Sequence, residues 1–246
     1  MAERKKQKKN AEKKELLIVV PAYNESESIV KTIDGLIKDY PEYDYIIIND
    51  GSKDDTERLC IEHKYNYISL PINTGLAGAM QTGFKYAYLK QYKYVLQFDG
   101  DGQHKAEYIA DMLDMMKKEK CNIVIGSRYL TPQKIRNARM FGSKILTWEI
   151  KLTTGKTITD PTSGMRLFDG KMIERFSSAM NYGPEPDTVS YLIKCGAKIK
   201  EVTVEMQERF AGKSYLNLWR SAYYMIYMCM SIAFVQFFRK KEMINE

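Results

Sequence analysis

Tyr94-Val95-Leu96-Gln97-Phe98-Asp99-Gly100-Asp101-Gly102-Gln103-His104 joins a short apolar run to two carboxylates separated by one glycine. The run reads as a buried strand. The aspartates follow it at once, on a loop that Gly100 and Gly102 allow to bend, where they can present hard oxygen ligands to Mg²⁺ or Mn²⁺. In an open parallel sheet the carboxyl edge of the strands is also where ligands sit. A solvated Asp-Gly turn is the competing reading of the same residues.

Upstream, the same arrangement recurs. Leu16-Leu17-Ile18-Val19-Val20 has the continuous β-branched pattern of a strand buried on both faces, ending at Pro21. A helix follows to about Lys38, with Asn24 or Ser26 available as N-cap. The turn between them has no glycine, which argues against a dinucleotide-binding dehydrogenase. Tyr45-Ile46-Ile47-Ile48-Asn49 is a second such strand, and Asp50 stands at its carboxyl end, followed by Gly51-Ser52-Lys53-Asp54-Asp55-Thr56. Tyr67 to Leu70 gives a third strand, and a helix runs from Gly75 to about Leu89. Its small residues Gly75, Ala77, Gly78 and Ala79 suit either close approach of a phosphate or tight helix-on-sheet packing.

Downstream, a helix over Glu107–Lys118 leads to a fifth strand, Asn122-Ile123-Val124-Ile125-Gly126, with Ser127-Arg128-Tyr129 at its end. Strands alternating with helices at this spacing predict an α/β fold, a mostly parallel sheet covered on both sides. Arg136–Thr153 is helix-like and Gly155–Thr159 a connecting loop. Asp160-Pro161-Thr162-Ser163-Gly164-Met165-Arg166 is turn-rich, and Tyr182-Gly183-Pro184-Glu185-Pro186-Asp187 is an acidic loop opening a helix through about Cys195. Asp160 reads as a turn-former or a chemical group, Asp187 as an N-cap or a chemical group. Ala197 to Met206 alternates like a strand. Then Glu208-Arg209-Phe210-Ala211-Gly212-Lys213-Ser214 combines cations with a flexible glycine, a loop able to neutralise a diphosphate through Arg209 and Lys213.

The 246 residues can bury a full core, and no internal repeat is visible. The net charge of +7 is concentrated in residues 1–14, where seven cations face two acids, so the remainder carries only +2. Such an arm is either a solvated tail or a contact for an anionic surface, with anionic lipid a suitable match, and no nucleic-acid partner is expected. The four cysteines form no CxxC pair and suit a reducing cytosol, while two histidines are too few for a histidine-based zinc site. Ser221 through Phe238 carries no charged residue and is bracketed by Arg220 and by Arg239-Lys240-Lys241. As a helix it would be about 27 Å long, at the short limit for a membrane span. It can lie in the membrane interface, cross with a partner's help, or bury itself on another subunit; interface attachment is the expectation.

Together these motifs resemble the inverting family 2 glycosyltransferases of the GT-A (Rossmann-like) fold, and more narrowly the dolichyl- and undecaprenyl-phosphate sugar transferases. Pro21-Ala22-Tyr23-Asn24-Glu25 is similar to the family's first nucleotide loop, Asn49-Asp50-Gly51-Ser52 to the segment whose aspartate contacts the base, and Phe98 through His104 to its metal-binding DxD. Gly126-Ser127-Arg128-Tyr129, Asp160 through Arg166 and Arg209 through Ser214 follow in the family's order. The resemblance covers about residues 16–217 and, with the charge and hydropathy pattern, divides the chain into a basic disordered arm over 1–14, a catalytic domain over 15–217 and a C-terminal amphipathic or membrane-associated helix over 218–246. Pro186-Asp187 departs from the family, standing where many relatives have a glutamate near the acceptor.

The resemblance further implies transfer of a hexosyl or N-acetylhexosaminyl group from a UDP- or GDP-sugar, with inversion. Pro21, Tyr23, Glu25 and Asp50 would bind the nucleotide, Asp99 and Asp101 would hold Mg²⁺ or Mn²⁺, and Arg209 and Lys213 would assist the diphosphate. Gln103 and Arg128 would orient sugar or acceptor groups. A polyprenyl phosphate acceptor is already an anion and needs little deprotonation. A sugar hydroxyl needs a general base, with Asp160 or Asp187 the candidates. The membrane-prone tail favours the lipid phosphate, at the cytoplasmic face of the membrane, with a small membrane protein or a second copy as a possible partner. A chain-elongating transferase for cell-wall or capsular glycan is the alternative. A nucleotidyltransferase would show a glycine-rich first loop, and a non-catalytic scaffold would show no turnover.

Overall fold

The computed structural model describes residues 14–131, 138–178, 183, 185–207, 218–235, 238–239 and 243–244. Among the described residues seven strands form one sheet: β1 Leu16–Ala22, β2 Asp44–Asn49, β3 Tyr67–Ser69, β4 Tyr94–Gln97, β5 Ile123–Ser127, β6 Arg166–Phe168 and β7 Ile199–Thr203. Their order is β3-β2-β1-β4-β6-β5-β7, and every pairing is parallel except those of β6 with β4 and β5. The described helices are α1 Ile29–Asp39, α2 Thr56–Glu62, α3 Gly75–Leu89, α4 Ile109–Glu119, α5 Ala138–Thr154, α6 Gly170–Ser178, α7 Pro186–Lys194 and α8 Leu218–Met230. The mostly parallel α/β sheet flanked by helices is therefore as the sequence implies.

The continuous apolar runs are explained by burial on both faces. In β1, Leu17 and Val19 join one core with Ile46, Ile48, Met80 and Phe84, while Leu16, Ile18 and Val20 join the other with Ile29, Ile33, Leu96 and Met112. Truncating any one of these to alanine would cost about 2–5 kcal/mol. The strand also continues through Pro21 to Ala22, beyond the expected end. Pairing with β4 stops at Val19, so the missing N–H of Pro21 removes no ladder bond from that side.

Two elements are absent from the sequence reading. β6 is three residues long and begins with an arginine inside a turn-rich segment, yet Leu167 and Phe168 are fully buried between β4 and β5. α6 follows directly; Asp169 accepts from the Met172 N–H (2.9 Å), and its other oxygen is held by Asn122. Phe168, Phe84 of α3 and Phe176 of α6 form a compact aromatic cluster. The first helix starts at Ile29 with Ser28 at its N-cap. Asn24, expected as a cap, instead adopts φ +56° and ties two loops together.

α8 packs against α5 and α7 and passes into one π-helical turn, Ser231–Val235. Among the described residues no helix is long and apolar enough to cross a membrane. Instead α5 and α8 each carry an exposed apolar stripe at helical spacing: Phe141, Ile145, Trp148 and Leu152 on α5, and Tyr223, Ile226, Tyr227 and Met230 on α8.

Candidate functional site

The loops leaving β1 and β2 are latched together. Asn24 N–H donates to Ser52 Oγ (2.9 Å), Lys53 N–H to Asn24 Oδ1 (2.8 Å), Glu25 N–H to Thr56 Oγ1 (2.9 Å), and Ser26 N–H to Asp54 Oδ2 (3.0 Å). The Glu25 carboxylate accepts from Ser28 Oγ at 2.6 Å, which braces the entry to α1. Beside the latch lies a cleft of about 680 Å³, lined by Tyr23, Gly51, Ser52, Lys53, Pro71 and Asn73 among others. Tyr23 is 38 % exposed there. Gly51 sits at φ +66°, and a Cβ on it would fall 2.5 Å from the carbonyl carbon of Ile72, so this turn admits only glycine.

Asp50 is buried beneath these loops, with Thr74 donating to its Oδ1 from both backbone N–H and hydroxyl, each at 2.7 Å. Gly78 supports the same contact, since a Cβ there would strike Thr74 Oγ1 at 2.3 Å. The small residues of α3 thus include one that packs against the chain's own threonine, which in turn fixes Asp50.

The Asp99–Asp101 loop continues β4 and is clamped from the far end of the sheet. Gln207 donates from its backbone to the Gln103 carbonyl (3.0 Å) and from its side chain to the Gly102 carbonyl (2.7 Å). Asp101 is 5 % exposed and accepts from Gln103 N–H at 3.0 Å. Gln103 thus contributes backbone bonds on both sides, and its side chain is half-buried. The Asp99 side chain is 33 % exposed, with Gln97 Nε2 3.3 Å from Oδ1. Asp99 N–H donates to His104 Nδ1 (3.0 Å), which assigns the ring proton to Nε2, 3.5 Å from Asp99 Oδ2. His104, buried against Phe98, therefore orients the loop, a role its place in the motif did not reveal.

Among the described residues no group of three or more histidine, cysteine or acidic side chains is set to hold a metal. The donor set nonetheless fits a hard divalent ion shared with a diphosphate: two carboxylates, one partly open, on a loop with its backbone fixed.

Arg128 and Asp160 form a buried bidentate pair, Nε to Oδ2 at 2.6 Å and NH2 to Oδ1 at 2.8 Å, with the Arg128 N–H adding a third bond at 3.1 Å. Burial alone would lower the Arg128 guanidinium; the bonds to Asp160 outweigh it and the net direction is up. Asp160 is 0 % exposed. Its own backbone N–H donates to Glu201 Oε1 (3.0 Å), a carboxylate that also takes the Thr159 N–H and hydroxyl. Glu201 on β7 carried no signal in the sequence beyond strand alternation.

The segment after Asp160 touches the Asp99 loop directly: a Cβ on Gly164 would lie 2.6 Å from Asp99 Oδ2. Arg166, at the start of β6, is fully buried and donates to the carbonyls of Ser163 (2.8 Å) and Pro161 (2.7 Å). Burial pulls this guanidinium below its ordinary value, against the opposing charges of Glu185 first, then Tyr224, Asp160 and Asp99. Asp187 opens α7 and accepts from Thr188 N–H and from Ser231 Oγ, both at 2.7 Å. Glu185, two residues earlier, accepts the hydroxyl of Tyr224. The structure thus gathers Asp99, Asp101, Gln103, Arg128 and Asp160 on neighbouring loops, with Pro21, Tyr23, Glu25 and Asp50 beside them. Arg209 and Lys213 lie outside the described residues.

The family model described as Glycosyl transferase family 2 matches residues 17–177. The chain is 26% identical over 215 residues to an undecaprenyl-phosphate mannosyltransferase of Micrococcus luteus, covering 82% of this chain and 87% of that protein. It is 30% identical over 224 residues to a dolichyl-phosphate beta-glucosyltransferase of Trichomonas vaginalis, covering 82% and 68%. The glucosyl-3-phosphoglycerate synthase of Mycobacterium tuberculosis, solved with Mn²⁺, uridine diphosphate and phosphoglyceric acid, superposes with a TM-score of 0.63 at 17% identity, over 89% of this chain and 78% of that one.

Proposed function

We propose, for a chain that belongs to glycosyl transferase family 2, that the sugar of a nucleotide sugar is passed to the phosphate of a polyprenyl lipid, with inversion at the anomeric carbon. The observation that carries the reading is the Asp99–Asp101 loop, clamped at the end of β4 against Gly164 and beside two buried guanidiniums. Similarity to relatives whose names specify undecaprenyl and dolichyl phosphate supports the acceptor class.

The cleft beside Tyr23 takes the nucleoside, with the tyrosine ring as a platform and buried Asp50 accepting a hydrogen bond from base or ribose. Pro21 and Glu25 shape the loop that covers it. Asp99 and Asp101 would hold Mg²⁺ or Mn²⁺, and such an ion would offset the charge left on the departing diphosphate. Arg209 and Lys213 are assigned to that diphosphate, and Gln103 to orientation of the sugar. An acceptor phosphate oxygen attacks C1 as the bond from C1 to the diphosphate oxygen breaks, and the nucleoside diphosphate leaves. That oxygen is already anionic, so no base is required. Asp160, both of whose oxygens are engaged by Arg128, serves better as the counter-ion that fixes this cation than as a proton acceptor. Asp187 is the acid left for a base role should the acceptor be a hydroxyl.

The exposed stripes of α5 and α8, flanked on α5 by exposed Lys144 and Lys151, favour peripheral attachment to an anionic membrane surface at its cytoplasmic face. The reaction is tested by incubating the chain with a panel of labelled UDP- and GDP-sugars, Mg²⁺ or Mn²⁺, and undecaprenyl phosphate in vesicles. Label in an acid-labile lipid fraction is expected; label in glycan alone would favour chain elongation instead.

A further inference from the structure

α8 has two sides with different partners. Its outer side carries the exposed stripe, and its inner side reaches the acids Glu185 and Asp187 at the start of α7. Tyr224 donates its hydroxyl to Glu185 Oε2, and Ser231, in the turn that follows, donates to Asp187 Oδ2 at 2.7 Å. Ser231 is buried beside Ile232, so its hydroxyl has little alternative in solvent. Burial, then the Glu185 charge, pushes the Tyr224 phenol up, which keeps it a donor.

The loop these hydroxyls hold is an intermediary. Glu185 is the foremost acid opposing the desolvation of Arg166, whose guanidinium binds the Pro161–Ser163 backbone next to Asp160 and Gly164. Gly183 packs on Ala77 in the first turn of α3, where a Cβ on it would sit 3.3 Å away, and Thr74 just before that turn holds Asp50. α8 is thus linked through Glu185 to the Arg166 turn, and the neighbouring Gly183 touches α3 beside Thr74 and Asp50.

We propose that Tyr224 and Ser231 are positioning residues that hold the acidic loop for transfer, so that seating the outer face of α8 on a lipid surface sets the geometry of the site. The proposal rests on the membrane-surface reading above. Neither hydroxyl touches the reacting atoms; both act through Glu185 and Asp187.

Hydrogen exchange on the full chain separates the two ideas. With vesicles of phosphatidylethanolamine and phosphatidylglycerol and no acceptor, exchange is expected to slow in 223–234 and in 185–189. In Tyr224→Phe/Ser231→Ala it is expected to slow in 223–234 only. In acceptor-loaded vesicles the double variant is expected to lose at least about tenfold in kcat, and Ser231→Thr to retain the activity that Ser231→Ala loses. A loop that stays insensitive while α8 is protected in the parent chain would overturn the proposal, as would equal protection or equal kcat in the double variant. No protection of α8 in the parent chain would overturn it together with the surface reading. Coupled protection without a lipid product would leave the coupling supported and remove only the acceptor. Should Tyr224→Phe fail to fold, Ser231→Ala alone carries the same exchange readout.

Discussion

Arg128 and Asp160 are locked face to face by two parallel bonds, 2.6 and 2.8 Å, in a site where the carboxylate has no exposure to solvent. Breaking such a pair leaves an uncompensated buried charge, at a cost of about 3–5 kcal/mol. Asp160→Asn is therefore expected to lower Tm by about 10 °C and to reduce turnover at every pH. If Asp160 were also the general base, the variant would in addition lose the acid limb of the pH–rate profile. Thermal melts and a pH–rate profile on the same preparation distinguish the two.

Gly164 leaves room for the Asp99 carboxylate, since a Cβ there would stand 2.6 Å from Oδ2. Gly164→Ala forces Asp99 to rotate while the surrounding core is untouched. The expected outcome is weaker Mn²⁺ binding by about tenfold or more, with turnover partly restored at high metal concentration. Asp101→Asn is expected to abolish metal-dependent turnover without loss of fold. Calorimetric titration with Mn²⁺ and a nucleoside diphosphate checks both; unchanged metal affinity in both variants would remove the assignment.

Gly51 combines φ +66° with a backbone neighbour 2.5 Å from any Cβ. Gly51→Ala must then either shift the 71–73 loop or distort its own turn, a destabilisation of more than about 1 kcal/mol. Because that turn lines the cleft beside Tyr23, nucleotide affinity is expected to fall with the stability. Binding measured by tryptophan or calorimetric titration at a temperature well below Tm shows whether affinity is lost in the folded protein.

Glu149 of α5 faces Cys229 of α8; its Oε2 is buried without a hydrogen-bond partner among the described residues, and burial, opposed by a bond with the Cys229 thiol, raises its carboxyl above the ordinary value. The folded state thus binds this proton more tightly than the unfolded chain. The resulting stability is present in full below the unfolded value and is lost as pH rises through the raised one. Glu149→Gln is expected to raise Tm at neutral pH, with the difference from the parent vanishing toward pH 4. A constant offset across that window would contradict it.

Much of the sheet was legible because β1, β2, β4 and β5 are buried on both faces, and that burial writes itself as runs of Leu, Ile and Val. β6 was not legible: three residues are too few for a period, and Arg166 disguises the first of them. Its burial depends on carbonyls supplied by its own preceding turn. The site divides the same way. Asp50, Asp99 and Asp101 announce themselves by following strands. Glu201 and Tyr224 act through partners far away in sequence, Glu201 on Thr159 and Tyr224 on Glu185, which no local pattern encodes. Asp160 was visible as an acid, but its commitment to Arg128 required the fold.

The central claim is a covalent one and is tested by mass spectrometry of the lipid. The chain is incubated with a nucleotide sugar, Mn²⁺ and undecaprenyl phosphate, and the extracted lipid is weighed against the nucleoside diphosphate released. The account predicts polyprenyl phosphate heavier by one sugar residue, in equal amount to the diphosphate, with the anomeric configuration inverted relative to the donor. Diphosphate released while the lipid mass stays unchanged, across UDP- and GDP-sugars alike, would contradict it.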